Sequence, residues 1–160
     1  FEWFGGTVNC SHLVSYRGVD DEFDTDYGFS GAVQFCLGVR DPKVADDSYS
    51  LASSSSTSEG YESDNDANGT NNNPRTKAIF SNMTHIGPLR GNNSTANLAY
   101  IHPAFRRAAR IRRNSELKIF NSILSDCPTG LMIDNAAGSV AANAVSGKAK
   151  FKNNIISGEM

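Results

Sequence analysis

Long apolar runs and closely spaced cysteines are missing from this sequence of 160 residues. No stretch approaches the roughly 18 consecutive apolar residues of a membrane span, so we predict no membrane-spanning segment. The three cysteines, Cys10, Cys36 and Cys127, lie far apart and form no CxxC pair, which argues against a structural zinc site. Each lies inside or beside a strand-like segment, and we expect buried, unpaired thiols.

Motifs of common enzyme classes are also missing. The sequence contains no G-x-S-x-G elbow, no H-E-x-x-H pair and no phosphate-binding loop. His12, His85 and His102 fall in different segments, so packing explains them more simply than a catalytic triad does. Carboxylate pairs can serve glycoside hydrolysis, but the separation that decides the mechanism is a property of the folded chain.

The formal net charge of −2 conceals two oppositely charged halves. Through Asn72 there are thirteen acidic and three basic residues, whereas from Asn73 onward there are four acidic and twelve basic residues. Such a division can mark a cation site in the acidic half and an anionic partner for the basic half. The alternative is that the two halves pack together and compensate.

A weak internal repeat is the main structural signal. Its four segments start at Val8, Phe80, Ile119 and Phe151, and three of them carry Asn two places later, at Asn82, Asn121 and Asn153. Apolar residues at spacing two predict strands with one buried face. An Asn column predicts corners where stacked coils bond through an Asn ladder. The spacing of tens of residues indicates a solenoid, and we predict an all-β, right-handed parallel β-helix.

Residues 1–160 are predicted to form a single, partial β-helix domain with two loop insertions, at about 42–77 and 87–104. The first insertion is rich in Ser and Asn and is expected to lie outside the core. Further strands are predicted at 32–39, as one alternating segment, and at 130–134. Residues 102–110 have helix-like character, but an alternative is a strand at 109–113 with Ile111 inward.

With these segments in view, the chain resembles secreted or surface-exposed bacterial β-helix proteins described as lipoproteins of unknown function. The matching segments are 4–9, 20–31, 62–66, 74–76, 80–84, 112–114, 119–122 and 128–131. The resemblance implies a β-helix in the extracellular space or on the outer-membrane surface of a Gram-negative bacterium, with an anchor or sorting signal elsewhere in a longer polypeptide. It implies no catalytic residue set. The abrupt aromatic start at Phe1 also suggests a fragment, which could associate with the rest of a longer chain or complex.

The acidic block is the first candidate metal site. Its members are Asp20, Asp21, Glu22, Asp24 and Asp26. If Phe23 and Thr25 point inward, the acids at 22, 24 and 26 share the outer face and repel one another unless a cation lies between them. This spacing favours Ca²⁺, a hard ion that binds oxygen ligands. The alternative is a solvated turn or an ion pair with the basic half.

A second candidate calcium site is the segment 64–70, in which Asp64, Asp66, Asn68 and Gly69 resemble the start of a calcium loop. The closing acid of an EF-hand would fall at Arg75, so the segment is not an EF-hand. A shorter loop could borrow a carboxylate from Glu62 or from the acidic block. The alternative is an ordinary Asn/Gly turn.

The basic counterpart is a cluster of five arginines within eight residues, namely Arg106, Arg107, Arg110, Arg112 and Arg113. Guanidinium groups can bind phosphate, sulfate or uronate through two parallel hydrogen bonds. The alternative, which we favour, is structural pairing with the acidic half. A nucleic-acid partner is not expected, because the chain is acidic overall and no aromatic residues interleave with the cluster.

The sequence thus predicts a non-enzymatic surface module that is stabilised by calcium and binds a glycan or an envelope protein. The alternative is a polysaccharide-active enzyme, either a lyase in which the acidic cluster holds calcium and an Arg or Lys serves as base, or a glycoside hydrolase. A groove that brings the acidic block within reach of a basic residue would favour the enzyme. Acids already paired to arginines would favour the module.

Overall fold

A computed structural model of the chain describes residues 1–45, 57–89 and 101–157. The described residues form fifteen short strands and one helix. In chain order these are β1 (Glu2–Phe4), β2 (Cys10–Ser11), β3 (Val14–Tyr16), β4 (Phe23–Asp26), β5 (Ala32–Gln34), β6 (Leu37–Val39), β7 (Tyr61–Ser63), β8 (Ile79–Ser81), β9 (Thr84–Ile86), β10 (Arg107–Ile111), β11 (Lys118–Phe120), β12 (Ile123–Ser125), β13 (Thr129–Ile133), α1 (Val140–Val145), β14 (Lys150–Lys152) and β15 (Ile155–Ser157).

The strands form three parallel sheets of five strands each. Sheet A has the order β1-β4-β7-β10-β13, sheet B the order β2-β5-β8-β11-β14 and sheet C the order β3-β6-β9-β12-β15. Each successive group of three strands therefore makes one coil, and coils 1 to 5 stack in chain order. This arrangement is an all-β parallel β-helix, which confirms the predicted fold class.

The interior is built from inward positions that repeat in every coil. In sheet B, Val33, Phe80 and Ile119 occupy the same register position and are buried. In sheet A, Phe23 lies opposite Tyr61 with their rings edge to face, and the Tyr61 ring also meets Phe80 edge to face at 5.5 Å between centroids. Because each coil buries its apolar side chains only against its neighbours, the core is a column that runs along the helix axis.

The corner between sheets B and C follows the predicted Asn column. Asn82, Asn121 and Asn153 have φ angles of 54°, 50° and 57°, a left-handed conformation that Asn tolerates better than most residues. The side-chain amide of Asn153 donates to the Asn121 side-chain oxygen at 3.2 Å, one step of the expected ladder. In coils 1 and 2 the same corner is occupied by His12 and Phe35.

Register and strand boundaries differ from the sequence prediction in the first two coils. Cys10, not Val8, occupies the position equivalent to Phe80, so the first repeat segment was aligned two residues too early. The predicted strand 32–39 is two strands, because the chain turns the B–C corner at Phe35, whose φ is 54°. An alternating pattern on both sides of a one-residue corner imitates a single continuous strand.

The first predicted insertion is wrong in its second half. Residues 61–63 form β7 in the centre of sheet A, and Tyr61 is fully buried. In the sequence, a strand of three residues gives too weak an apolar pattern to be recognised within a polar segment. The insertion at 87–104 lies partly outside the described residues, as do residues 46–56 of the first one. Leu89 and Ala104, at the described ends of the second, are buried.

Residues 102–110 do not form the helix that was one of two alternatives. Strand β10 includes Arg107–Ile111 with Ile111 fully buried, as the strand alternative predicted. The helix within the described residues is α1, and Ser139 caps its first turn by accepting from the amide of Ala142. The thiols of Cys36 and Cys127 are buried and unpaired, and that of Cys10 is partly exposed.

Ionic and hydroxyl groups also enter the core. Glu22 was predicted on the outer face, but it lies just before β4 and is fully buried against Arg40, with 3.2 Å between Oε1 and Nε. The Arg40 guanidinium also donates to three backbone oxygens, so both charges are compensated inside the helix. No helix in the described residues is long and apolar enough to span a membrane.

Candidate functional site

The outward positions of sheet A bring the acidic block next to acids from a distant segment. Phe23 and Thr25 are buried, so Asp24 and Asp26 point outward as predicted. The parallel register then places Asp24 between Glu2 of coil 1 and Glu62 of coil 3. Coil stacking therefore gathers carboxylates that are 22 and 38 residues apart in the sequence.

Three of these carboxylates converge. Each of Asp21, Asp24 and Glu62 offers an oxygen atom, and the three atoms lie within 4.8 Å of one another. The group lies in a cleft of about 290 Å³. The other residues that line the cleft are Glu2, Phe4, Asp20, Asp26, Thr57, Asp64, Arg112 and Arg113. We call this feature the acidic cleft.

The electrostatics of the acidic cleft disfavour three bare negative charges. Burial raises the pKa of the Asp24 carboxyl to about 7, and the charges of Asp64 and Glu2 add to the rise. Burial, followed by the charge of Glu62, raises the pKa of Asp21 well above its ordinary value. Burial also raises the pKa of Glu62, although Arg112 acts in the opposite direction. Without a cation, Asp24 therefore holds a proton in a substantial fraction of molecules at neutral pH.

Asp24 has a further unsatisfied atom. Its Oδ1 is buried and accepts no hydrogen bond within the part of the chain that the structure describes. Asp21 differs in that its Oδ1 accepts the backbone N–H of Glu59. Neither Asp21 nor Asp24 forms an ion pair with a described residue. An unpaired buried carboxylate oxygen is costly, and a bound cation would compensate it.

The five arginines occupy coil 4 and its flanks, and four of them form ion pairs with other described residues. Arg107 contacts Glu59 at 2.6 Å and Arg110 contacts Asp134 at 2.7 Å. Arg112 bridges Glu62 and Asp64, the latter at 2.8 Å. Arg113 also contacts Asp64, at 3.0 Å, and Arg106 donates to the backbone oxygen of Pro103 at 3.3 Å. The boundary between the two charged halves thus lies between coils 3 and 4 of sheet A.

The pKa of the Arg112 guanidinium reflects this pairing. Burial acts to lower it, but Glu62 and Asp64 more than offset that effect and raise the pKa above its ordinary value. Arg112 is therefore held firmly in its charged form. A charged guanidinium can bind an anion or stabilise negative charge, but it has no lone pair with which to accept a proton.

The second calcium candidate does not form a cluster. Asp64 is committed to Arg112 and Arg113, whereas Asp66 accepts the amides of Asn68 at 2.9 Å and Thr70 at 3.1 Å. Although burial acts to raise it, these hydrogen bonds and the Thr70 hydroxyl lower the pKa of Asp66. Asp66 therefore organises an Asx-type turn, and Asn68 is exposed beside it.

Glu62 is the carboxylate that the sequence prediction placed with a different group. It was considered as a lender of a carboxylate to the loop at 64–70, but the structure joins it to Asp21 and Asp24 instead. The signal was present in the register, because Tyr61-Glu62-Ser63 repeats the in-out-in order of Phe23-Asp24-Thr25. Recognising it required that 61–63 be identified as a strand.

The histidines do not converge on the acidic cleft. His85 is buried in sheet C between the Gly38 and Leu124 positions, and burial lowers its pKa to about 3. His12 lies at the B–C corner and stacks on Phe35, with 5.7 Å between ring centroids. Both positions are explained by packing.

A sequence model of one protein family matches nearly all of the chain. The family is described as a pectate-lyase-like β-helix domain, and the match covers residues 1–158. No curated protein and no solved structure gave a significant match. The match agrees with the three parallel sheets and with the stacked coils described above.

Proposed function

We propose a function from the premise that the chain belongs to the family of pectate-lyase-like β-helix domains. In this proposal the chain is a non-enzymatic binding module that binds Ca²⁺ in the acidic cleft and, next to the ion, an acidic glycan. The observation that carries the proposal is the convergence of Asp21, Asp24 and Glu62, whose oxygens lie within 4.8 Å of one another.

The donor set fits calcium. All three groups are carboxylates, which hard cations such as Ca²⁺ and Mg²⁺ prefer, whereas zinc and copper sites usually include His or Cys. Calcium accepts six to eight oxygen ligands in flexible geometry, so three carboxylates and solvent from an open cleft can satisfy it. The buried, unpartnered Oδ1 of Asp24 supports a cation at this position.

The acidic glycan follows from the composition of the acidic cleft. Bound calcium would retain open coordination positions that a sugar carboxylate can fill. Arg112 and Arg113 line the same cleft and could donate hydrogen bonds to the same sugar. A neutral sugar would gain neither interaction, so the proposal specifies a uronate-containing polysaccharide.

Binding without catalysis is supported by the state of the cleft arginines. A lyase needs a base that removes a proton from the sugar ring. Arg112 is paired to Glu62 and Asp64, Arg113 is paired to Asp64, and the pKa of Arg112 is raised. These pairs favour the structural interpretation of the arginines over a free catalytic base.

The resemblance described under Sequence analysis supports a place outside the cell or on the outer-membrane surface. Extracellular modules commonly bind calcium with dissociation constants of about 10⁻⁴ to 10⁻³ M, which suits an open site with three protein carboxylates. A polysaccharide of the cell envelope or of the surroundings would then be the natural partner. An envelope protein with an acidic surface is the alternative partner.

Calcium titration calorimetry on the full chain, with thermal melts in calcium and in chelator, tests the metal site. We expect binding by the wild type, a lower melting temperature in chelator, and at least tenfold weaker binding by Asp24→Asn. Asp126→Asn is the matched control, because Asp126 follows β12 on sheet C. No calcium binding, or equal weakening by both variants, would refute the site.

A second candidate function is a calcium-dependent polysaccharide lyase. One observation favours it, namely that Arg112 and Arg113 share the cleft with the carboxylate cluster. Incubation of the full chain with polygalacturonate and calcium, followed by ultraviolet detection of unsaturated products, separates the two functions. Binding without product supports the module. Product that forms with the wild type and is lost in Arg112→Gln, with calcium binding retained, would replace it with the enzyme.

A further inference from the structure

A second charged surface lies on the outward side of sheet B, away from the acidic cleft. Its members come from coils 3 to 5, and we call it the lysine face. They are Lys77, Lys118, Lys148, Lys150 and Lys152. The arginine cluster was the only basic candidate in the sequence prediction, so this surface was missed.

Parallel register stacks lysine on lysine. Lys118 of β11 is directly opposite Lys150 of β14, and on the other side it is opposite Ile79 of β8. Lys77 precedes Ile79 by two residues and contributes to the electrostatic environment of Lys118. Neighbouring strands are about 4.8 Å apart, so Lys118 and Lys150 are separated by one coil repeat along the helix axis.

Few acids compensate these charges among the described residues. The ion pairs on this side involve Glu116, whose Oε1 contacts Arg75 at 3.3 Å and Lys148 at 3.6 Å. Glu116 is only 9% exposed and is shared between these two partners. Lys118 donates to the backbone oxygen of Glu116 at 3.3 Å, not to its carboxylate. Lys77, Lys150 and Lys152 have no ion pair with a described residue.

The stacked lysines carry an electrostatic cost. Burial lowers the pKa of Lys118, Glu116 acts against that effect, and the charges of Lys150 and Lys77 lower the pKa further. Like charges directly opposite on neighbouring strands are destabilising. An anion that bridges two coils would turn this repulsion into attraction.

We propose that the lysine face binds a polyanionic glycan, with carboxylate or sulfate groups along an extended chain, and that this binding does not need calcium. The lysines come from three successive coils, with Lys118 and Lys150 in direct register, and a linear polymer with repeated anionic groups can run along the helix axis and contact them in turn. Flexible ammonium groups suit such a partner, because each acts as a hydrated point charge without a fixed orientation.

The shape of the surface favours a glycan over duplex nucleic acid. The described strands that carry Lys118, Lys150 and Lys152 are three residues long, too short to form a ribbon that could enter a DNA groove. Two partly exposed apolar side chains, Ile79 opposite Lys118 and Phe120 opposite Lys152, can pack against sugar rings. Readout of bases by paired guanidinium contacts would require arginines, whereas the lysine face consists of lysines.

The test measures binding of the full chain to heparin, dextran sulfate and polygalacturonate, with neutral dextran as a reference and EDTA throughout. EDTA removes the calcium-dependent contribution of the acidic cleft, so failure of the calcium site does not affect the result. The double variant K118Q/K150Q is compared with K43Q, which removes a lysine from the loop after β6. Thermal melts check folding, and we expect the double variant to be at least as stable as the wild type.

We expect wild-type binding to heparin or dextran sulfate that weakens with salt, and at least tenfold weaker binding by the double variant. Asp24→Asn and K43Q should bind as the wild type does. Equal loss in K43Q, or no binding of any polyanion at low salt, would overturn the proposal. Tighter binding of duplex DNA or of anionic phosphatidylserine vesicles than of the glycans would also overturn it.

Discussion

Sheets A and B of the same β-helix arrange charge in opposite ways. On sheet A the acids of coil 3 stack beneath the arginines of coil 4, and Arg112 alone contacts both Glu62 and Asp64. On sheet B, Lys118 of coil 4 stacks beneath Lys150 of coil 5. In a solenoid, register therefore decides whether neighbouring charges cancel or accumulate, and a net charge of −2 reveals neither arrangement.

The acidic cleft combines both arrangements within one sheet. Glu62 and Asp64 have an arginine on one side, but Asp24 on the other side has acids above and below it. The raised pKa of Asp24 reflects a position where burial and neighbouring acidic charges are not compensated by an arginine of the described residues. Functional surfaces are thus expected at the positions where stacking leaves like charges together, namely the acidic cleft and the lysine face.

Removing Arg112, whose charge compensates Glu62 and Asp64 on sheet A, should have the largest effect on stability. Replacing Arg112 with Gln leaves Glu62 and Asp64, whose side chains are 8% and 6% exposed, without their shared partner. Removing one member of a buried pair costs about 3 to 5 kcal/mol. We expect a loss of unfolding free energy in this range at pH 7, measured by urea denaturation.

The control for Arg112→Gln is Lys152→Gln, which removes an exposed lysine from sheet B. Its effect should lie within about 0.5 kcal/mol of zero. Equal stability of the two variants would mean that the arginines of sheet A contribute no more than solvated surface charges. That outcome would also weaken the argument that Arg112 is unavailable as a base.

A smaller effect is expected from Asp24 as the pH is raised without calcium. Its pKa is about 7 in the folded chain and about 3.9 when unfolded, so the unfolded state loses its proton first. The stability that the protonated group contributes is fully present below pH 4 and is lost as the pH rises through 7. Asp24→Asn keeps a neutral group, so its stability relative to wild type should rise by about 1 kcal/mol between pH 6.5 and 8.

Glu62, whose pKa burial raises to about 8, titrates within this pH window in both proteins, but the main opposing group, His85, does not. The pKa of His85 is about 3 when folded and about 6.5 when unfolded, so its contribution to stability rises with pH only below 6.5. Urea denaturation in chelator at three pH values within the window provides the measurement, and Asp126→Asn is again the control. A constant difference between Asp24→Asn and wild type would show that Asp24 is ionised throughout.

The coil architecture was within reach of the sequence, because it depends on local signals. Asn82, Asn121 and Asn153 mark a left-handed corner, and the apolar residues on either side mark inward positions. Strand β13 was predicted for the same reason, since a turn precedes an apolar segment. These features require no knowledge of which coil lies next to which.

The composition of the acidic cleft was not within reach, because it depends on register between distant segments. Asp24 meets Glu62 only because β4 and β7 pair, and β7 is hidden in a polar segment. Glu22 was assigned outward by alternation, but alternation begins at Phe23 and the residue before a strand can turn inward. The periodicity of the sequence also does not predict that Arg40 forms the ion pair with Glu22.

The smallest predicted effect comes from replacing the repulsive lysine pair on sheet B with an attractive pair of opposite charges. Lys118→Glu places a carboxylate opposite Lys150, within the electrostatic reach of Lys77, without changing the inward residues of β11. Opposite charges across strands contribute about 0.2 to 1 kcal/mol, so we expect a gain in stability of that size at low salt and less at high salt. Lys152→Glu is the matched control, because Lys152 lies opposite Phe120 and not opposite a lysine. A gain confined to Lys118→Glu, together with lost binding of heparin, would mean that the lysine face is maintained at a cost in stability, as expected if its charges serve a ligand. Lower stability of Lys118→Glu at low salt would instead indicate that the lysines do not repel one another.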